Sequence, residues 1–185
     1  MDILGPITES EGYKYILLFV DSFSKWCEAV PLKECSAITV AEALHKEIIC
    51  RYGSFQTLVS DRAKNFMSSV VDHLCKVYNI QHRFISAYHA QANSICERQN
   101  SRIEQSLRTL VNAKHSNWVN VLPLVIQSYN VTPANQSTHF SPYFLLFGHE
   151  CILPLDTALE AKRNLSKNAQ NYVEDLLKMC KLRVI

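Results

Sequence analysis

Apolar residues follow one another almost without interruption from Tyr13 to Phe23, and a second apolar run extends from Trp26 to Leu32. A near-continuous apolar run is typical of a strand that is covered on both faces. The first run therefore predicts a central strand, and the second is close enough in sequence to pair with it as a hairpin neighbour. Shorter runs at Gln56 to Ser60 and at Gln81 to Ser86 predict two further strands.

Elsewhere, apolar residues recur every three or four positions, which is the spacing of amphipathic helices. Four such stripes precede residue 130, and the first of these helices is predicted to end at Tyr52-Gly53. The stripes are Val40, Leu44 and Ile48; Phe66, Val70, Leu74, Val77 and Tyr78; Ile103, Leu107, Leu110 and Val111; and Trp118, Val121, Leu122, Val125 and Tyr129. Strands and helices thus alternate, and the pattern predicts an α/β protein.

Three acidic residues stand at the ends of these predicted elements. Asp2 lies in a short apolar run at the start of the chain, Asp61 closes the strand that ends at Ser60, and Glu97 opens the third helix 36 positions later. Phosphodiester chemistry with two divalent cations needs carboxylates that converge from separate elements, because cations about 3.5–4 Å apart must share a ligand. At about 100° per residue, Glu97 falls roughly 120° from the stripe led by Ile103, so it need not point into the core. A solvated helix face would give the same pattern.

The composition sets bounds on the class of protein. With 185 residues, of which 48% are hydrophobic, the chain can bury a sizeable core, and no stretch is long and apolar enough to cross a membrane. Nineteen basic and 17 acidic residues give a net charge of +2, so any DNA site has to be a local patch. The seven cysteines include no C-x-x-C pair, which argues against a disulfide framework or a zinc site and favours a reducing compartment.

Five sequence segments surround or follow the three acids. They are DILGP at 2–6, YILLFVDSFSKW at 15–26, SDRAKNF at 60–66, HAQANSICER at 89–98 and SPYFLLFG at 141–148. In this order, and with 35 residues between Asp61 and Glu97, they resemble the catalytic core of retroviral and long-terminal-repeat retrotransposon integrases, especially the Ty3/gypsy branch. An ordered set of five segments is far more specific than any single motif.

The resemblance implies an RNase H-like fold, with a mixed five-stranded sheet flanked by helices. Its first strand is expected to be truncated, because only Met1 precedes Asp2. It also implies that Asp2, Asp61 and Glu97 form a DDE site that holds Mg²⁺ or Mn²⁺ and carries out 3′-end processing and strand transfer. The implied partners are long-terminal-repeat ends, target DNA and further copies of the chain, in the nucleus and without membrane contact. We expect the core to occupy residues 1–156 and a C-terminal helical extension to occupy residues 157–185.

Seven residues near the acids are candidates for DNA contacts. They are Lys64, His89, Gln91, Asn93, Ser94, Arg98 and Arg102. In the family, the stretch before the third acid is a mobile loop close to the scissile phosphate, and basic side chains neutralise the DNA backbone. The alternatives are an ordinary linker with a helix cap for residues 89–94, and solvated charges for the three basic residues. Asp21, which ends the second strand, is interpreted as a turn residue and not as a metal ligand.

The chain departs from the family pattern at three positions. Ala63, Ala90 and Ser94 stand where the family usually has Gly, Pro and Gly, which changes the backbone freedom of the loops beside the acids. A domesticated or decayed integrase-like domain, retained for nucleic-acid or protein binding without catalysis, is therefore the alternative function. An RNase H-type nuclease is a third interpretation, and the truncated first strand favours a weakly active or inactive chain.

Overall fold

The fold is known from a computed structural model, which describes residues 1–85, 90–112, 116–133 and 139–154, with the backbone alone for residues 90–97. The chain divides into two compact units, Met1–Ser128 and Tyr129–Ile185. The predicted boundary at residue 156 and the predicted helical extension over 157–185 lie outside the described residues. Both stay predictions.

Five strands form the sheet structure of the first unit. An antiparallel ladder joins β1 (Asp2–Leu4), β2 (Tyr15–Val20) and β3 (Cys27–Leu32) in that order, and a parallel ladder joins β4 (Thr57–Ser60) to β5 (Gln81–Phe84). The four strands predicted from apolar runs are all present, and none of them extends beyond its predicted limits. The hairpin pairing of the first two runs is confirmed.

One hydrogen bond connects the two ladders. The ammonium group of Met1 donates to the carbonyl oxygen of Val59 over 2.6 Å. A single mixed five-stranded sheet is not confirmed, because β1 has only three residues and reaches β4 through this terminal bond. The bond nevertheless places the start of β1 beside the end of β4.

The strand β2 is buried on both faces, as its sequence predicts. Leu17 and Phe19 belong to the main core cluster together with Val40, Leu44 and Phe66. The alternate residues of the strand, Ile16 and Leu18, point to the opposite face and are equally buried, at 1% and 0% exposure. The helix that follows β5 packs on β1 and β2. Burial on both faces explains why the strand contains no alternating polar positions.

The first helical segment combines three types of turn. Ser36 caps α1 (Ala37–Ala43) through a capping box with Thr39, a π-helix spans Leu44–Ile49, and α2 (Cys50–Tyr52) ends at Gly53. Gly53 has φ of 87°, which glycine adopts without strain. The predicted helix and its end are therefore confirmed, whereas the π-helical turn is additional.

The second predicted stripe is only partly correct. The helix α3 (Ser69–Val77) buries Val71 and Cys75, while Val70 and Val77 are 42% and 64% exposed. Residues 64–67 form turns, so Phe66 is fully buried but does not continue the helical phase of α3. The predicted stripe treats Phe66 to Tyr78 as one helix, whereas the buried positions of α3 lie one residue later, at Val71 and Cys75.

Two longer helices follow. The helix α4 (Ala90–Leu110) buries Ile103 and Leu107 as predicted, but Leu110 of the same predicted stripe is 56% exposed and Val111 follows the end of the helix. The helix α5 (Trp118–Val131) buries Trp118, Leu122 and Val125. In the second unit, Ser141 caps α6 (Pro142–Phe147), and its hydroxyl also donates to the Glu150 carboxylate over 3.0 Å. None of the helices in the described ranges combines the length and hydrophobicity that a bilayer crossing requires.

Candidate active site

Asp2 is held by contacts to both of its carboxylate oxygens. One oxygen, Oδ1, accepts a hydrogen bond of 2.9 Å from the amide of Ile3. The other, Oδ2, accepts a hydrogen bond of 2.6 Å from the side-chain amide Nδ2 of Asn100 on α4. Because these two residues are 98 positions apart, this bond is a tertiary contact between the helix and the strand.

Asp61 directly follows β4 and is half-buried. Its Oδ1 accepts a hydrogen bond of 3.0 Å from the amide of Ala63, a local turn that fixes the side chain at the strand end. The bond from Met1 to Val59 holds the neighbouring backbones together, since Asp2 follows Met1 and Asp61 lies two residues after Val59. Consecutive Cα atoms are about 3.8 Å apart. Asp2 and Asp61 therefore each lie within two residues of this hydrogen bond, which keeps the two aspartates close to each other.

Glu97 lies on α4, three residues before Asn100. Residues three apart on a helix are neighbours on one face, about 60° from each other around the axis. Glu97 therefore occupies a position one turn before Asn100, whose side chain bonds Asp2 on β1. The side chain of Glu97 lies outside the described residues, so convergence of all three carboxylates stays a prediction. Among the side chains that the structure describes, no group of three His, Cys, Asp or Glu residues could hold a metal ion.

Asn100 was not predicted from the sequence. It lies at the margin of the buried stripe of α4, about 60° from Ile103 around the helix axis, where a polar residue is unremarkable. The signal that could have found it is its spacing of three from Glu97, which places an amide donor one turn from the third acid.

Behind Asp61, the buried Ser60 and the half-buried His82 support the end of β4. Ser60 is fully buried, and its Oγ donates to the Asp61 carbonyl over 2.9 Å and lies 2.9 Å from Nε2 of His82 on β5. Burial is the main cause that lowers the pKa of His82; the Met1 ammonium lowers it further, and Asp72 opposes both. The imidazole therefore favours its neutral form in the folded chain.

This lowered pKa predicts acid-sensitive stability. The unfolded chain, whose histidine pKa is about 6.5, binds the proton more tightly than the folded chain. The stability that His82 contributes is thus fully present above that pH and is lost as the pH falls through the depressed folded pKa. Between about pH 7.5 and pH 5, we expect a smaller fall in melting temperature for His82→Gln than for the wild type. His73→Gln, which changes an exposed histidine of α3, should keep the wild-type fall, and an unchanged fall in His82→Gln would refute the assignment.

The structure brings some of the predicted DNA-contact residues toward the acids and not others. Lys64 is exposed in the turn that follows Asp61. Arg98 and Arg102 are exposed, but each lies about 160° around α4 from Asn100 and thus on the side away from Asp2.

The predicted loop before Glu97 is replaced in part by helix. Gln91, Asn93 and Ser94 lie in the first turns of α4, which begins at Ala90, and the interpretation of these three positions as loop is wrong. Ser94, where the family usually has Gly, lowers the cost of helix at this position, since Gly is less favourable than Ser inside a helix. His89 lies outside the described residues. The DNA-contact role of all seven residues stays a prediction.

Asp21 has the turn role that its position predicts. Its Oδ2 accepts hydrogen bonds from the amide and the hydroxyl of Ser24, at 2.8 Å and 2.6 Å. This carboxylate closes the turn between β2 and β3.

A cavity of about 380 Å³ lies between the segment from Leu4 to Thr8 and the C-terminal half of α4. Its lining includes Leu4, Ile7, Leu107 and Trp118, with the ion pair of Glu104 and Arg108 on the helix side. Neither Asp2 nor Asp61 lines it. The two aspartates are half-buried and stand apart from this cavity.

Comparisons with known proteins agree with this geometry. The integrase core domain family model matches residues 1–90. The Gag-Pol polyprotein of Feline leukemia virus is 37% identical over 138 residues, which cover 74% of this chain and 8% of the polyprotein. The retrovirus-related Pol polyprotein from transposon 412 of Drosophila melanogaster is 28% identical over 155 residues, which cover 83% of this chain and 12% of that protein.

The fold is shared with a solved integrase core. The HTLV-2 integrase catalytic core domain, solved in complex with magnesium in a trimeric form, has a TM-score of 0.55 and 20% identity, and the match covers 75% of this chain and 92% of that one. The fold is therefore RNase H-like. The chain belongs to the catalytic cores of retroviral and retrotransposon integrases. It spans between 8% and 23% of the length of the curated relatives that it matches.

Proposed function

We propose that this chain is the catalytic core of a DDE-type polynucleotidyl transferase, which processes the 3′ ends of DNA and joins them to a target. Family membership supports polynucleotidyl transfer at the level of the family. The observation that carries the proposal is the hydrogen bond between Asn100 and Asp2, because it fixes the helix that bears Glu97 against the strand that bears the first acid. The comparisons do not favour the alternative of a binding domain without catalysis.

The donor set fits a hard divalent cation. Carboxylate oxygens are the ligands that Mg²⁺ and Mn²⁺ prefer, and Asp2 and Asp61 contribute them from adjoining strand ends. Asp2, Asp61 and Glu97 would hold the ions, with Mg²⁺ supported by the magnesium complex of the HTLV-2 core. Such ions, when bound, activate a water or a DNA 3′-hydroxyl and stabilise the leaving oxygen of an in-line displacement.

The residues of the chain then have separate tasks. The turn bond from the Ala63 amide holds the Asp61 carboxylate in one orientation, and the bonds from Ile3 and Asn100 do the same for Asp2. Lys64, which is exposed in the turn after Asp61, would neutralise a backbone phosphate. No covalent intermediate with the protein is required.

The partners follow from the same reaction. We propose that the chain acts on long-terminal-repeat ends and target DNA, as a homo-oligomer and in the nucleus. The trimeric form of the HTLV-2 core is in line with self-association in this family. Lys64, Arg98, Arg102 and the first turns of α4 are the proposed DNA contacts.

Metal binding gives the direct test of this site. If Mn²⁺ binds only the folded chain, it stabilises that chain by about 2.7 kcal/mol when its concentration is a hundred times the dissociation constant. We expect the melting temperature to rise by about 5–10 °C for a chain of this size. The comparison is made between Mn²⁺ or Mg²⁺ and a chelator, and the combined change of Asp2→Asn, Asp61→Asn and Glu97→Gln should abolish the rise.

A charge-matched control separates site binding from general effects. The combined change of Glu9→Gln, Glu34→Gln and Asp72→Asn removes the same number of negative charges from exposed positions. This variant should keep the metal-induced rise. An equal melting temperature of the wild type with metal and with chelator would refute the metal site.

A further inference from the structure

We propose that Cys50 is a site of covalent modification, at which His45 accepts the thiol proton while the sulfur attacks a small-molecule disulfide such as oxidised glutathione. The site consists of Cys50, His45 and Tyr78, and none of these residues belongs to the candidate active site. The Cys50 sulfur and the Tyr78 hydroxyl oxygen both lie near one atom, Nε2 of His45, at 3.6 Å and 2.9 Å.

The π-helix at Leu44–Ile49 brings the thiol and the imidazole together. In an α-helix, two residues that are five positions apart point about 140° away from each other around the axis. Here the amide of Cys50 donates to the carbonyl of His45, which is the i→i+5 bond of a π-helix, and the two side chains are in contact. Single π-helical turns inside longer helices are frequent at functional sites. An α-helical turn at the same place would separate the thiol from the imidazole.

His45 is held in the orientation of a proton acceptor. The ring of Tyr78, at the end of α3, lies against the imidazole with centroids 5.7 Å apart, and the Ser54 hydroxyl donates to the Tyr78 carbonyl over 2.8 Å. The phenol and the thiol each carry a hydrogen to donate, so a lone pair on Nε2 satisfies both contacts. Neutral His45 is therefore the Nδ1–H tautomer. A nucleophile beside a base that a third group orients is the arrangement of an activated nucleophile.

The other cysteines in the described part of the chain have different surroundings. Cys50 is exposed, whereas Cys27 and Cys75 are buried and Cys35 and Cys151 are partly buried. Burial raises the pKa of Cys75 and of Cys35. A raised pKa leaves less of the reactive thiolate. Of these five thiols, the one that is exposed to solvent is therefore also the one beside His45.

The reaction is a thiol–disulfide exchange. The Cys50 sulfur attacks one sulfur of oxidised glutathione, a new S–S bond forms, and the S–S bond of the reagent breaks with its electron pair on the departing sulfur. The thiol proton passes to Nε2 of His45 and then, through solvent, to the departing thiolate. Cys50 is thereby oxidised to the mixed disulfide, and the other half of the reagent leaves as reduced glutathione.

The test follows each thiol of the whole chain separately. The chain is incubated with oxidised glutathione at neutral pH, the reaction is stopped with acid, and the modified fraction of each cysteine is measured by mass spectrometry after digestion. A positioned base contributes about 10²–10⁴-fold in enzymes, and less for a thiol, which is already a good nucleophile. We therefore expect Cys50 to react at least about tenfold faster than Cys151.

Unfolding separates activation from simple exposure. We expect Cys50 to react about tenfold faster in the folded chain than in urea, because only the folded chain places His45 beside it. N-acetylcysteine, measured in both solvents, corrects for the effect of urea on the chemistry. A thiol that is merely exposed would react no faster in the folded chain than in the unfolded one, and that result would overturn the proposal.

Two variants identify the groups involved. His45→Gln keeps a hydrogen-bonding amide but removes the base, and Cys50 should then react about tenfold more slowly. His73→Gln, which changes an exposed histidine of α3, is the matched control and should keep the wild-type rate. Should His45→Gln fail to fold, Cys50→Ser decides, because it should remove the fastest-reacting of the five described thiols without a buried change. An unchanged rate in folded His45→Gln, or a fast reaction that persists at these positions in Cys50→Ser, would refute the site.

Discussion

Asp61→Asn is expected to lower the rate of metal-dependent DNA joining by at least about a thousandfold while the chain stays folded. A metal ion that stabilises the charges of phosphoryl transfer is worth several kcal/mol, and each 1.36 kcal/mol is about a factor of ten in rate. The fold should survive because the asparagine oxygen can still accept the turn bond from the Ala63 amide. The measurement is joining of a labelled long-terminal-repeat end to target DNA, together with the circular dichroism of the variant.

Asp21→Asn provides the matched control. Asp21 also follows a strand directly and also closes a turn with its carboxylate, through Ser24. Asp21→Asn should keep the activity of the wild type. Equal loss in both variants would mean that turn structure and not metal binding causes the effect, and unchanged joining by Asp61→Asn would remove this residue from the site.

Phe66→Ala is expected to destabilise the chain by about 3–5 kcal/mol, the usual cost of removing a buried aromatic side chain. Phe66 is 1% exposed and belongs to the main core cluster. Its amide donates to the carbonyl of Ala63 over 3.0 Å, so it also anchors the turn that carries Asp61 to the core. The free energy of unfolding is measured by urea denaturation. The expected loss is a large fraction of the total stability of a folded domain, which is about 5–15 kcal/mol.

Phe23→Ala is the control for this prediction. Phe23 is 44% exposed and lies in the turn between β2 and β3, so its removal should cost much less. Surface substitutions usually change stability by about 0.5 kcal/mol or less. A loss in Phe66→Ala that is no larger than the loss in Phe23→Ala would contradict the assignment of Phe66 to the core.

Strands were predictable from the sequence because a strand that is buried on both faces has a continuous run of apolar residues. The run from Tyr13 to Phe23 contains β2, and burial of every residue from Ile16 to Phe19 explains its continuous hydrophobicity. The π-helix at Leu44–Ile49 was not predictable, because an apolar repeat of three or four residues does not distinguish one type of helical turn from another. The phase of α3 was missed because a turn at residues 64–67 interrupts the repeat without a Pro or a Gly to mark it.

The candidate site was predictable in part. Sequence motifs identified Asp2 and Asp61, which the structure places at adjoining strand ends, and the position of Glu97 on a helix packed against β1. The contact of Asn100 with Asp2 could not be predicted from the sequence, because the two residues are 98 positions apart. Arg98 and Arg102 are near Glu97 in sequence, but each residue of a helix is rotated by about 100° from the one before it, so both arginines lie on the side of α4 away from Asp2.

The hydrogen bonds of Ser60 determine which ring nitrogen of His82 carries the hydrogen in the neutral form. The single hydrogen of the Ser60 hydroxyl is used in its bond to the Asp61 carbonyl, so the contact of 2.9 Å with His82 needs a hydrogen on Nε2. Neutral His82 is therefore the Nε2–H tautomer, and acid adds its proton at Nδ1. Protonation then leaves the connection from β5 through Ser60 to the backbone of Asp61 intact. Mild acid should thus weaken the fold through the charge on the half-buried imidazole, while the strand end that carries the second acid keeps its support.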